Sequence, residues 1–117
     1  MIFLSHCANA NEFKLVIYTD HFSPYNFKND NDQLVGINLD IVKDICTIIA
    51  ITCEFKLLPW KRAYSLVQKD PHSGIVSIAK NTEREPLFNW IGPLASSQTF
   101  FYKLKANKQV IPIPLSM

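Results

Sequence analysis

The hydrophobic pattern of the chain opens with Lys14–Thr19 (KLVIYT), a compact apolar run rich in β-branched residues and closed by Asp20. A run of this kind predicts a buried strand. Residues 21–36 carry Pro24, Asn26, Asn29, Asp30, Asn31, Asp32 and Gly36. That punctuation predicts a loop or an irregular hairpin. Ile37, Ile41, Val42, Ile45, Ile48 and Ile49 then recur at helical spacing, with Asp40, Lys43, Asp44 and Thr47 on the other face. Asn38 is the expected N-cap, because its amide oxygen can accept a free backbone N–H. Cys53–Leu58 (CEFKLL) predicts a second strand, closed by Pro59. A second amphipathic helix follows over Trp60–Lys69, with Ala63, Tyr64 and Val67 inward. His72-Ser73-Gly74 reads as a turn and Ile75–Ala79 (IVSIA) as a third strand. Thr82-Glu83-Arg84-Glu85 has the form of a capping box, and Pro86 suits a first helical turn. Gln98–Leu104 (QTFFYKL) is the last expected strand. Strands alternating with helices predict an α/β fold with a mainly parallel open sheet flanked by helices.

Composition narrows the classes. The chain has 117 residues, 48% of them hydrophobic, which is enough for the core of one small domain and excludes general disorder. Its longest apolar run, Ile45 to Ile51, is interrupted by Thr47 and is far too short to span a bilayer. Twelve basic against ten acidic residues leave a net charge of +2, too small a bias to argue for nucleic acid or an anionic membrane surface. Three glycines disfavour a glycine-rich phosphate cradle.

The two ends read differently from the middle. In residues 1–10 (MIFLSHCANA) a short apolar start precedes Ala8 and Ala10, small residues spaced as signal peptidase requires. A basic leader and a longer apolar core are missing. The segment is either a signal-peptide remnant or an N-terminal extension. Cys7 is not read as a lipoprotein cysteine, because His6 before it is too bulky. Residues 108–117 (KQVIPIPLSM) hold Pro112 and Pro114, which exclude a central strand and break a helix, so an extended or disordered tail is expected.

The chemistry-bearing residues give no catalytic constellation. His6, His21 and His72 lack ligand spacing, and no metal site or cofactor is expected. No nucleophile–base motif is present. Most carboxylates fall on the polar helix face or in the loop, where solvation explains them. Binding remains. Open parallel sheets take ligands beyond the carboxyl ends of their strands. Here those ends are Asp20-His21-Phe22, Pro59-Trp60-Lys61 and Ala79 through Arg84, rich in rings and cationic groups. Arg84 could hold a carboxylate through two parallel hydrogen bonds. The plainer alternative pairs it with Glu83 or Glu85. Likewise Phe22 and Tyr25 could anchor the loop, and Trp60 could pack on the domain instead of lining a cleft.

An ordered set of segments carries a family resemblance: LVIYTD, SPYNF, QLVGINLDIVKDIC, PWKRAYSLV, SIAKNTERE and FNWIGPL. Together they make the stretch from about Glu12 to Asn107 resemble the first lobe of the periplasmic amino-acid-binding proteins of bacterial ABC uptake systems, solute-binding protein family three. Ile37 replaces the aromatic usual in the GINLDIV segment. The resemblance implies the first lobe of a type II periplasmic-binding-protein fold, incomplete here. Residues 11–107 would form the partial lobe, between the remnant 1–10 and the tail 108–117.

The resemblance also implies roles. Arg84 would grip the α-carboxylate of an amino acid or small carboxylate ligand. Ser77 would offer a hydroxyl or backbone contact. Phe22 and Tyr25 would lie against the ligand side chain, with Trp60 nearby. Asp20 falls where some relatives bind a cationic group, and Ala79 stands where several have a serine. Partners would be a small-molecule ligand and a membrane permease, with no nucleic acid, in the periplasm. Some relatives bridge cysteines at the seven-residue spacing of Cys46 and Cys53, and the residues between them permit the approach a disulfide needs. The alternative is two buried thiols. The family has two lobes and this length has room for one, so a truncated copy with weak or no binding is expected. The competing functions are a dehydratase-type enzyme on the same fold, with Asp20 as its only placed carboxylate, and the sensor lobe of a receptor, which would need a transmembrane segment after it.

Overall fold

The computed structural model describes residues 13–112. Its centre is β1 (Lys14–Thr19), paired in parallel with β4 (Thr52–Leu57) on one side and β5 (Ser73–Ile75) on the other. The register runs from Lys14 opposite Thr52 to Thr19 opposite Leu57, and Val16 stands opposite Ser73. A central parallel strand is covered on both faces. Ile17, Tyr18 and Thr19 are accordingly all buried, although their side chains alternate in direction.

Two helices make the crossovers: α1 (Ile37–Ile48) leads into β4, and α2 (Trp60–Val67) leads back past β1 to β5. The chain moves from β1 out to β4 and then back past β1 to β5, so its progress across the sheet reverses at β4, and the right-handed crossover rule puts the two helices on opposite faces. The core joins Ile17, Leu39 and Val76, with Leu15, Val42, Cys53, Phe55 and Leu94 packed against them. Ala63 on α2 is fully buried.

The loop after β1 forms a small hairpin, β2 (Phe27–Lys28) against β3 (Leu34–Val35). The Asn29 side chain accepts from the backbone N–H groups of Asn31 and Gln33, closing the turn. Gly36 then starts α1 with φ 138°. A Cβ at that position would overlap the Tyr25 carbonyl, so glycine is required both by dihedral and by approach.

Several local expectations are corrected. Asn38 is not the N-cap. The first N–H groups of α1 are satisfied by loop carbonyls instead: Ile37 donates to Pro24 at 3.1 Å and Asn38 to Tyr25 at 3.0 Å. Its buried stripe is Asn38, Leu39, Val42 and Cys46, while Ile37, Ile41, Ile45 and Ile49 are exposed and Ile48 is 80% exposed. The helix is apolar over more than one stripe, and the sheet reaches only one of them. The third strand ends at Ile75 instead of Ala79, because Ser77 turns the chain with φ 62°. The capping box does not form. Asn81 Oδ1 accepts the Arg84 N–H at 2.8 Å, and a short 3-10 turn follows over Glu85–Leu87 with Pro86 in its first positions.

Gln98–Leu104 is not a strand and pairs with neither β4 nor β5; Phe100, Phe101, Tyr102 and Leu104 are exposed. Its β propensity is high, but a strand requires a hydrogen-bonded neighbour. Residues 108–112 have no regular secondary structure. Residues 1–10, with Cys7 and the signal-remnant reading, lie outside the described residues, as do 113–117.

Cys46 and Cys53 form a disulfide with Cα atoms 6.2 Å apart, tying the last turn of α1 to the start of β4. On the β4 edge, Lys14 Nζ lies 2.7 Å from Glu54 Oε2. That hydrogen bond, together with the Lys14 and Lys56 charges, holds the Glu54 carboxyl below its usual range. A depressed carboxyl stabilises the fold at neutral pH, and the contribution is lost as acid protonates it. The pair is exposed, so the effect is small.

Gly36→Ala is expected to destabilise the fold by more than ~1 kcal/mol, since alanine meets both an unfavourable φ and the Tyr25 carbonyl; urea denaturation measures this. Replacing both Cys46 and Cys53 by serine should cost about 2–3 kcal/mol in the chain-entropy account of a small closed loop. The same loss should follow when reductant is added to the wild-type protein, and should be absent when it is added to the double variant.

Candidate functional site

The chain leaves β1 toward α1 and the neighbouring β4 toward α2 on the other face, and open α/β folds place ligands beyond such adjacent carboxyl ends. Three segments meet there: the loop after β1, the start of α2, and the turn after β5. Asp20, Phe22, Tyr25, Trp60, Ser77, Ala79 and Arg84 are among the residues lining a long open groove that also runs past Leu15, Ile51, Asp70 and Pro71.

Arg84 is half-buried and held from two directions. Its Nη1 donates to the Ala79 carbonyl at 3.2 Å. Its guanidinium carbon stands 5.4 Å from the centre of the Trp60 ring and 5.6 Å from that of Tyr64, within cation–π range of both. Trp60 and Tyr64 are one helical turn apart on α2 and stack with centroids 5.7 Å apart. The aromatic row continues edge-to-face through Phe88 to Trp90. Neither glutamate neighbour neutralises Arg84: Glu85 pairs with Lys80 at 2.9 Å, and Arg84 has no ion pair among the described residues. Its positive charge is thus oriented, partly desolvated and uncompensated, as an anion anchor needs to be.

Asp20 is half-buried at the end of β1. Its backbone carbonyl accepts from Asn26 Nδ2 at 2.6 Å and from Thr19 Oγ1 at 3.3 Å. Its carboxylate has neither ion pair nor hydrogen bond among the described residues. Phe22 and Tyr25 face each other across a tight turn with ring centroids 5.1 Å apart. That turn is held by backbone N–H groups of Tyr25 and Asn26, both donating to the Phe22 carbonyl. Phe22 is half exposed and Tyr25 less so, so the pair is both loop anchor and available apolar wall.

Ser77 behaves differently. Its hydroxyl donates to Asn26 Oδ1 and accepts from Asn38 Nδ2 at 2.9 Å. Asn26 is 0% exposed and Asn38 4%. The left-handed φ of Ser77 costs a non-glycine residue about 1–2 kcal/mol, which these bonds offset. Sequence reasoning did not find Asn26, Asn38 or Tyr64. Tyr64 could have been found by its one-turn spacing from Trp60. The two asparagines could not, since their partner is 51 and 39 residues away.

The sequence profile of the bacterial extracellular solute-binding proteins, family 3, matches residues 15–112. The chain belongs to that family. Three solved structures share its fold. The open substrate-binding domain 2 of Lactococcus lactis GlnP matches at a TM-score of 0.60 and 22% identity, over 65% of this chain and 34% of that one. An ancestral arginine-binding protein bound to arginine matches at 0.57 and 24%, over 65% and 34%. An ancestral cationic amino acid solute-binding protein matches at 0.54 and 22%, over 63% and 33%. This chain thus spans about a third of the length of each. No curated protein matches it.

Asn26→Ala would leave the Ser77 O–H without its acceptor and take the shorter of its two hydrogen bonds from the Asp20 carbonyl. It is expected to lower stability by about 2–3 kcal/mol, read from the shift of the urea midpoint at unchanged slope.

Proposed function

We propose that this chain is a ligand-binding lobe of an amino-acid receptor serving an ABC uptake system outside the cytoplasmic membrane. The observation that carries the reading is the uncompensated Arg84 guanidinium on its Trp60–Tyr64 platform, lining the same concavity as the unpaired Asp20 carboxylate. Opposite charges across one hollow suit a small zwitterion. Arg84 takes the α-carboxylate through its fork of N–H donors. Asp20 attracts an ammonium or guanidinium, and Phe22, Tyr25 and Trp60 cover the aliphatic part. Ala79 contributes a carbonyl that holds Arg84, and its methyl adds no polar contact. The arginine and cationic amino acids named for the fold neighbours support a basic ligand.

The chain acts as a binding protein rather than an enzyme in this reading, delivering its ligand to a membrane permease. The Cys46–Cys53 disulfide fits an oxidising compartment. Binding pockets cover most of a ligand's surface. A single lobe offers one wall, so affinity of this chain alone is weak.

NMR titration with L-arginine, L-lysine, L-glutamine and L-glutamate tests the reading. Saturable shifts of the Trp60 and Arg84 side-chain signals are expected in the millimolar range. Arginine and lysine should bind more tightly than glutamate, and Arg84→Ala should abolish the response. Arg84→Lys should weaken it about tenfold, because a point charge replaces the two-pronged donor. No response to any of the four would overturn the proposal.

A further inference from the structure

A hydrogen-bonded chain runs through the interior behind the site. Asn38 Nδ2 donates to the Ser77 hydroxyl, which donates to Asn26 Oδ1, and Asn26 Nδ2 donates to the Asp20 carbonyl. Every donor points the same way, from α1 toward the end of β1. The chain therefore joins three segments that are distant in sequence: the loop after β1, the first turn of α1, and the turn after β5.

Asp20 and Arg84 are both attached to it. Asp20 is held directly, through its own carbonyl. Arg84 is held through Ser77. The left-handed φ of Ser77 ends β5 just after Val76 donates to the Tyr18 carbonyl, and it sends the next residues across the top of the sheet. Two residues beyond Ser77, the Ala79 carbonyl receives the Arg84 guanidinium. The place where that carbonyl stands is set by the turn at Ser77, and the turn is held by two buried amides.

Asn38 carries a second observation. Its Oδ1 is buried and has no hydrogen-bond partner. A buried acceptor left unpaired is costly, so the bond made by the rest of this side chain carries weight. That bond runs from Nδ2 to Ser77. An aspartate at position 38 would have no N–H to give. The serine would then have to turn its own proton toward it and release Asn26.

We propose that Asn26, Ser77 and Asn38 are positioning residues that set the Arg84 guanidinium and Asp20 relative to one another, acting through the Ser77 turn and the Ala79 carbonyl. The proposal rests on the reading of Arg84 and Asp20 as the ligand's charge partners, but its test needs no ligand.

The chain has only two arginines, Arg62 and Arg84, so the Arg84 Nε–H signal is assigned by its disappearance in Arg84→Lys. In the wild-type protein this signal lies over the Trp60 and Tyr64 rings and is displaced by their ring currents. Asn38→Ala is expected to return it toward the position of a solvated arginine. Ser77→Gly removes the side chain that makes both bonds and keeps the left-handed φ accessible, so it tests the same contacts without a buried asparagine cavity, and it is expected to do the same. Ile17→Val, which trims the core without touching the hydrogen-bonded chain, should leave the signal in place. An unmoved Arg84 signal in Ser77→Gly or in folded Asn38→Ala would overturn the proposal, as would an equal displacement in Ile17→Val. If the signal moves as expected while no amino acid binds the wild-type protein, the positioning role stands and the receptor reading fails.

Discussion

The serine hydroxyl between two buried amides is the constraint on which the upper surface of this fold depends. Hydrogen bonds inside a protein are individually modest, but leaving one of these groups unpaired carries the full cost of its desolvation. Asn26 and Asn38 come from elements with little other reason to meet, and neither is near the end of β5 in sequence. With Ser77 between them, Asn26 Oδ1 and Asn38 Nδ2 are both paired; with it displaced, neither is. The arrangement converts the stability of the core into precision at the surface. It also explains how a serine can occupy a backbone region that usually requires glycine.

Above that base stand Arg84 and Asp20, neither of which makes an ion pair among the described residues. Lysines and carboxylates elsewhere find each other: Lys14 with Glu54, Lys28 with Asp32, Lys80 with Glu85. The pairing of Glu85 with Lys80 matters most, because it removes the nearest carboxylate from competition for Arg84. Aromatic faces hold the guanidinium without neutralising it. An aromatic platform of this kind keeps a cation oriented while leaving its hydrogen-bond donors free for an anion.

Much of the fold was legible in the sequence where the signal was local. Lys14–Thr19 reads as a strand because a central parallel strand is apolar on both faces, and its limits came out as observed. The family segments drew attention to Asp20, Phe22, Trp60 and Arg84, which lie on the segments that follow the carboxyl ends of the parallel strands. What failed was decided at a distance. Asn38 has the chemistry of a cap, but Pro24 and Tyr25 carbonyls reach the helix start first. Thr82 begins a capping motif, yet Asn81 takes the N–H. Gln98–Leu104 has strand composition and no strand beside it. The isoleucines of α1 share a helical period with its buried stripe, and periodicity alone does not say which stripe the sheet will cover. The asparagine contacts lie beyond any window of local pattern.

The Cys46–Cys53 bond brackets a surface turn that includes the exposed Ile48 and Ile49 and the left-handed Ala50. Cleavage of a peptide bond inside that bracket leaves the two pieces covalently joined. A proteolytic nick there would add one water to the mass and release nothing until a reductant arrived. The turn is thus a place where this chain can be opened without being taken apart.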